Sequence, residues 1–529
     1  VKTKSFLGGA VILAAAGFIV RVLGFLYRIY LSNLIGAEGM GLFQLISPVY
    51  SLVILTLTSG ISTAVSKMTA EELAKKHFAN PGRIASCALL LIMISGVAVS
   101  AFMFVKMDFI TGVILKDART YYSMLLLVPC IPVVAAASVL KGYYYGAQDV
   151  APTAFSQIAE QIVRIGLVML TAHYFLGLGL EYACALATVS MALGEIANLA
   201  VLFIIYKTKG KKTEKTVPKA GIMRKRTIML KLAEIALPVS SNRLVMSAMS
   251  AAEVLLIPRR LVAGGLGYRQ SMELFGKLEG MAIPVLFFPS LITSSLATTL
   301  VPAVSEAMSV KNIKSANYRI SNSIRITCIL GFVFTAIFLA YNQEIGGLLY
   351  KKEDIGNILR MFSFACMPIY LQQVLLGVMN GLGKQGVSLR NTVAGYAVRI
   401  AVIYFLMPSY GIGSYALGLI ISSVLVCAMD IAVIMKTTGL PLDAGNWFLK
   451  PCLVCIFMAL AGRYPYDFFR IFAASPIWAV LPALACNLFA ALYLMALVGA
   501  LETYEILRLA GIKKHKNLRF FKSGKDNYT

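Results

Sequence analysis

The chain has 529 residues, 59% hydrophobic and 14% charged, with 49 Lys and Arg against 24 Asp and Glu for a net charge of +25. Soluble domains carry roughly 25% charged residues, so this composition excludes a water-soluble enzyme or binding module and leaves an integral membrane protein. The basic excess is no nucleic-acid signature, because the lysines and arginines lie mostly in loops between apolar runs, where topology accounts for them.

Apolar runs of spanning length recur along the chain and predict an all-α membrane protein of about fourteen transmembrane helices. In order they fall near 8–34, 41–66, 84–105, 120–141, 152–173, 182–206, 232–257, 275–302, 321–341, 358–380, 388–407, 412–435, 447–462 and 477–500. The first run continues through Arg21 to Leu34, too long for a cleaved signal peptide, so a retained helix is expected. With the N-terminus inside, the cytoplasmic loops hold roughly three times as many Lys and Arg as the opposite loops, which predicts both termini in the cytoplasm. In Lys207 to Lys231 ten basic residues face only Glu214. That segment and Lys513 to Lys525 read as stretches drawn to anionic membrane lipids at about 1 kcal/mol per basic residue.

Sliding the chain by 235 residues exposes an internal repeat. Val139-Leu140 meets Val374-Leu375, Gly142 meets Gly377 and Gly146 meets Gly381. Val163-Arg164-Ile165 meets Val398-Arg399-Ile400, and Glu195-Ile196-Ala197 meets Asp430-Ile431-Ala432. Ala64-Val65-Ser66 resembles Ala303-Val304-Ser305 at an offset of 239. Six spans per half is an even number, so the halves enter the membrane in the same sense, as a parallel repeat about an axis along the membrane normal. The expected organisation is one lobe over 1–207, a basic cytoplasmic linker over 208–231, a second lobe over 232–436, two further helices over 437–500 and a basic tail over 501–529.

Arg21 and Arg28 are two helical turns apart on the first span and share a face with Gly17 and Gly24. A guanidinium at bilayer depth costs at least ~2.5 kcal/mol, which points this face into a polar cavity where phosphate takes bidentate hydrogen bonds; snorkelling to the interfaces is the bland alternative. Ser240, Arg243, Ser247 and Ser250 form a polar stripe on the seventh span, which opens the second half. Serine packing between helices explains the serines equally well. Glu160 and Arg164, at i and i+4, read as a self-neutralising pair. The repeat counterpart Arg399 lacks that acid, since Gly395 stands four residues back. Glu253, Glu195 and Asp430 fit either a coupling cation or partnership with arginines, and the sequence leaves both open. Pro129, Pro132, Pro284, Pro289 and Pro368 predict helix bends. The glycine-rich turn Gly36-Ala37-Glu38-Gly39 suits a gate.

Nine cysteines sit in or beside apolar runs and read as free thiols, the Cys452-x-x-Cys455 pair included. Three scattered histidines and the lack of a phosphate-binding loop give no catalytic motif, no nucleotide drive and no cofactor; a coupling ion or the membrane potential is the expected drive, and the sequence designates no metal ligands.

Arg21-Val22-Leu23-Gly24-Phe25, Ile35-Gly36-Ala37 and Thr63-Ala64-Val65-Ser66 resemble the mouse-virulence-factor branch of the MOP flippase superfamily, which includes MurJ-type lipid II flippases. Gly280-Met281-Ala282-Ile283-Pro284, Phe287-Phe288-Pro289-Ser290 and Leu300-Val301-Pro302-Ala303-Val304-Ser305-Glu306 look like the stage V sporulation protein B family. The resemblance implies two six-helix lobes around a central cationic cavity, plus two C-terminal helices. Arg21 matches the arginine of the R-x-L-G-F pattern, Arg28 sits slightly later than the family's second first-helix arginine, and Arg243 lies in the expected helix. The implied role is export of a polyprenyl-pyrophosphate-linked peptidoglycan precursor for spore cortex synthesis, with the forespore-engulfing membrane as its place and cell-wall synthesis enzymes as partners. Its rivals are an exporter of another polyprenol-linked glycan or of organic cations, and a non-transporting scaffold.

Overall fold

The computed structural model describes residues 6–177, 179–213, 222–351, 353–473 and 476–499, and every regular element among them is helical. We number the long helices α1 (Phe6–Ala74), α2 (Asn80–Val105), α3 (Ala118–Gly146), α4 (Ala151–Leu176), α5 (Leu180–Thr213), α6 (Lys225–Ala263) and α7 (268–309). They continue with α8 (Ile313–Ala340), α9 (Gly356–Gly381), α10 (Gln385–Tyr410), α11 (Ile412–Thr438), α12 (Gly445–Phe472) and α13 (Pro476–Leu497). Eleven helices among the described residues are long and apolar enough to cross a membrane. The expected tail, 501–529, and residues 214–221 of the expected linker lie outside the described residues.

α1 consists of two arms meeting at Gly36, whose φ of 70° is left-handed and suits a residue without Cβ. The first arm carries the arginine pair, and the second runs from Ala37 to Ala74. Helix geometry changes where proline was expected to disturb it. Val128–Cys130 and Ser363–Ala365 tighten to 3₁₀ turns, Gly276–Ala282 widens to a π-helical turn before Pro284, and α7 breaks at Phe288 and Pro289. Proline's missing N–H and its clash with the preceding turn account for these departures.

Packing repeats at the same offset as the sequence. A Cβ on Gly142 would stand 2.5 Å from the Ser62 carbonyl oxygen, and one on Gly377 would stand 2.5 Å from that of Ala297. Gly146 and Gly381 repeat this against Ser66 and Val301, as do Gly96 and Gly331 against Pro132 and Met367. The Ser100 hydroxyl donates to Val128 O at 2.8 Å, and its counterpart Thr335 donates to Ser363 O at 3.0 Å. In packing, therefore, Ser66 corresponds to Val301 rather than to Ser305, one helical turn from the register that local sequence likeness suggests.

Equivalent residues also meet each other. Gly41 would place a Cβ 2.3 Å from Met272 O, while Gly276 would place one 1.8 Å from Ala37 O, a reciprocal pair at the repeat offset. One turn further on, Gln44 Nε2 donates to the backbone oxygen of its own counterpart Glu279 at 3.1 Å. The pseudo-two-fold axis thus passes between the second arm of α1 and the start of α7. Leu170, Phe405 and Leu460 are among the large apolar side chains exposed on the perimeter, as a hydrocarbon solvent requires.

Candidate functional site

The first arm of α1 presents Arg21, Gly24, Tyr27 and Arg28 to a cavity of about 370 Å³. Arg164 of α4 enters the same cavity, whose far wall is Pro284, Phe287, Phe288 and Leu291 of α7. The two-turn spacing of Arg21 and Arg28 therefore does place both on one polar face. Arg21 Nη1 donates to Ser294 Oγ of α7 at 2.5 Å, and Phe25 stacks on Phe288 with ring centroids 4.4 Å apart. These contacts join the halves. Arg28 has no ion pair among the described residues; its electrostatic neighbours include Glu279, Tyr350, Tyr27 and Arg164. Arg164 is held by Glu160 at 2.8 Å, and Glu160 accepts a further bond from Asn198 at 2.8 Å.

A second cavity, about 360 Å³, lies between the second arm of α1 and α6. Arg243, Ser247 and Ser250 line it with Gln44, Glu279 and Tyr396. Ser47 and Ser51 line both cavities, so the two adjoin on either side of one helical arm. Arg243 is exposed and has no partner among the described residues. Ser240 departs from the stripe: it packs against Gly60 and lines a neighbouring apolar groove instead.

The six acidic and basic candidates do not converge on one site. Glu160 and Arg164 share a cluster with Glu195, whose other electrostatic neighbours include Lys141. Arg399 finds its missing acid on another helix, in Glu253 of α6 at 3.0 Å, and lies over the Tyr396 ring at 4.7 Å. The Tyr415 hydroxyl stands 3.0 Å from Glu253 and 3.2 Å from Glu279, tying that pair toward the cavity. Asp430 stands apart, accepting from Asn391 at 2.8 Å.

At the end of the molecule marked by the Gly36 kink, the halves are latched. Glu38 takes Arg119 at 2.7 Å and Arg269 at 3.1 Å, and Arg269 also reaches Glu273, the repeat counterpart of Glu38, at 3.5 Å. Arg119 pairs with Asp117 at 2.9 Å, and Tyr268 donates to Asp117 at 2.8 Å. Burial, then the bond to this carboxylate, raises the Tyr268 phenol above its ordinary value, so it remains a donor near neutral pH. Glu353 accepts from Ala37 N at 3.1 Å and pairs with Lys277 at 3.0 Å. Gly39 has room for no side chain, a Cβ there falling 2.9 Å from Ile35 and 3.0 Å from Leu180. Away from this latch, Arg21, Thr63, Asn242, Ser295 and Thr298 remain exposed on the facing helices.

Sequence reading missed Ser47, Ser51, Glu279 and Tyr396 in the cavities and Asp117, Arg119, Arg269, Lys277 and Glu353 in the latch. The 235-residue offset holds a signal for the central ones, since it pairs Glu38 with Glu273, Gly41 with Gly276 and Gln44 with Glu279.

Repeat halves meeting at a polar, arginine-bearing passage and latched at one end define a multi-pass membrane protein with the fold of MOP-superfamily transporters. The structure is similar to one described as lipid II flippase MurJ in an inward closed conformation, with a TM-score of 0.68 and 13% identity over 92% of this chain and 98% of that one. It is also similar to an inward-facing MATE family multidrug transporter, with a TM-score of 0.65 and 15% identity over 80% and 98%. By sequence, the chain belongs to the polysaccharide biosynthesis protein family, whose profile matches residues 6–308. The lipid II flippase MurJ profile matches residues 283–484. Stage V sporulation protein B of Bacillus subtilis (strain 168) is 29% identical over 455 residues, 86% of this chain and 88% of that protein. Lipid II flippase MurJ of the same organism is 23% identical over 429 residues, 76% and 77% of the two chains. The resemblance to the stage V sporulation protein B family read from the motifs is confirmed.

Proposed function

We propose that this protein is a flippase that carries a polyprenyl-pyrophosphate-linked peptidoglycan precursor from the cytoplasmic to the outer leaflet, in the service of spore cortex synthesis. The observation that carries the reading is the set of arginines, Arg21, Arg28 and Arg243, on two adjoining cavities between the repeat halves, with Arg28 and Arg243 free of ion pairs among the described residues. A buried pyrophosphate needs such donors, because desolvating its charge without them costs several kcal/mol. A cavity for organic cations would carry the opposite sign. Relatives described as a lipid II flippase and as a sporulation protein support the substrate class and the setting.

The basic loops assign the latched Gly36 end to the outside and the open end to the cytoplasm. In this reading about fourteen spans form lobes over 1–207 and 232–436, joined by the linker 208–231 and followed by two helices over 437–500. The headgroup enters from the cytoplasm, meets the arginines beside Ser47, Ser51 and Ser247, and leaves when the lobes rock about the axis and the latch of Gly36, Glu38 and Gly39 opens. Arg164, Arg399 and Glu253 hold the cavity walls in place. Glu195 and Asp430 remain the candidates for coupling an ion gradient. Replacing Arg21 or Arg243 by alanine should abolish rescue of a flippase-deficient, cortex-negative strain while protein levels stay normal. Normal cortex from those variants would refute the cavity role.

A further inference from the structure

The connections that join α2 to α3 and α8 to α9 at the latched end are repeat equivalents, and each is held by the opposite half. Leu349 O of the second half accepts from Asn33 Nδ2 of α1 at 2.8 Å, and Lys351 N donates to Asn33 Oδ1 at 3.2 Å. Ile114, 235 residues before Leu349, offers its backbone oxygen to Arg259 of α6. Tyr268, the counterpart of Asn33, likewise reaches the first-half connection at Asp117. A grip that recurs from both sides belongs to the duplicated fold rather than to one loop.

The two halves differ at Gly36. α6 and α7 are separated by the turn 264–267, whereas the corresponding arms of α1 meet at this single non-helical residue. Its φ of 70° and ψ of −177° interrupt the helical ladder, so the second arm opens with N–H groups that need acceptors from outside. Glu353 of the α8–α9 connection supplies one. Its Oε1 accepts from Ala37 N at 3.1 Å, and a carboxylate suits the positive end of a helix. Its Oε2 is anchored by Lys277 of α7 at 3.0 Å. A Cβ on Gly36 would stand 3.7 Å from Glu353 Oε1, so the carboxylate sits against the joint itself. Arg28 lies on the first arm, five residues before Asn33, and the buried Tyr350 of the same connection is among its electrostatic neighbours. The second half therefore grips the arginine-bearing helix on both sides of its joint, at Asn33 before it and at Ala37 after it.

We propose that Glu353 and Asn33 are positioning residues for the headgroup: they fix the angle between the two arms of α1 and so hold Arg28 toward the pyrophosphate, and when the latch opens they release the joint and the first arm turns its arginine away. The inference rests on the lipid-linked reading above and adds the device by which opening the outer end loosens the hold on the substrate. Both residues lie outside the two arginine cavities, so they act through the arm and not by touching the headgroup. A conformational change lowers affinity only where it alters a contact with the ligand, and the contact altered here is that of Arg28.

The test titrates undecaprenyl pyrophosphate against the purified full-length protein. Glu353→Ala and Asn33→Ala should each weaken binding by about fivefold or more, the coupling typical of linked sites. Glu353→Gln keeps a side-chain oxygen for Ala37 N while losing the charge that pairs with Lys277, and it should recover most of the parent affinity. Loss of a merely structural ion pair would not be rescued in this way. Parent-like affinity in both alanine variants overturns the positioning role, as does a loss in Glu353→Ala that Glu353→Gln repeats in full. The headgroup reading is tested separately by Arg28→Gln, which removes the donor itself. A parent protein that binds no undecaprenyl pyrophosphate overturns the headgroup reading and the positioning role with it.

Discussion

Arg28 and Arg164 share a cavity but not a fate. Glu160 neutralises Arg164, whereas Arg28 keeps a guanidinium free of ion pairs among the described residues, available for the bidentate bonds that phosphate oxygens accept. Arg28→Gln should therefore weaken undecaprenyl pyrophosphate binding by about tenfold or more, the worth of a hydrogen bond to a charged group, with the melting temperature unchanged. Calorimetric titration in detergent checks this, and an unaltered Kd would remove Arg28 from the binding site. Glu160→Gln should act oppositely, lowering the melting temperature by removing the carboxylate that Arg164 contacts directly and leaving Glu195 as its acidic neighbour; thermal unfolding measures it. The Glu160–Arg164 pair was legible because both partners lie on one helix at i and i+4. Arg399's partner was not, because Glu253 arrives from another helix by tertiary packing. Glu279 escaped notice because it sits in a π-helical turn, where the extra residue rotates the following side chains off any face that a regular spacing would assign.

Among the elements, the reciprocal contact of Gly41 and Gly276 fixes how closely the two halves approach at the latched end. A methyl group on Gly276 meets the Ala37 carbonyl oxygen at 1.8 Å, backbone that has no alternative rotamer. Gly276→Ala should hold the latch apart. In a background lacking Cys452 and Cys486, a cysteine substituted for Ser47 should then react faster with a membrane-impermeant maleimide added outside whole cells. Equal labelling with and without Gly276→Ala would show that this glycine contact does not seal the cavity. Positions of the helices were largely legible, because apolar run length and the 3.6-residue period respond to the same solvent as the fold does. The glycine-rich turn at Gly36 is legible as a break, and in the structure Gly36 is the non-helical joint at which the two arms of α1 meet. The latch was legible only at Gly36, Glu38 and Gly39. Of its remaining members only Asp117 and Glu353 lie in loops; Arg119, Arg269 and Lys277 sit in the first turns of α3 and α7, and their partners come from other elements, which the period within one helix does not reveal.

For the molecule as a whole, the repeat is what connects fold to mechanism. Equivalent glycines pack equivalent helices in each half, so the halves share one packing scheme, while the contacts between halves are split between a polar latch at one end and adjoining cavities nearer the other. In the proposed cycle the two halves rock about the pseudo-two-fold axis, exchanging one set of end contacts for another. Breaking the latch should bias that exchange. Glu38→Gln, which strips the shared carboxylate from Arg119 and Arg269, should increase outside labelling of the same Ser47→Cys reporter; unchanged labelling would mean that the ion pairs do not hold the closed end.

In the proposed function the arginines between the halves hold an anionic, lipid-linked headgroup. Native mass spectrometry of the protein extracted from its own membrane measures this directly. The account predicts a bound adduct with the mass of a polyprenyl pyrophosphate sugar, lost when Arg21, Arg28 and Arg243 are all replaced by glutamine. An adduct retained by that triple variant, or a parent protein that carries none when supplied with the precursor, would contradict it.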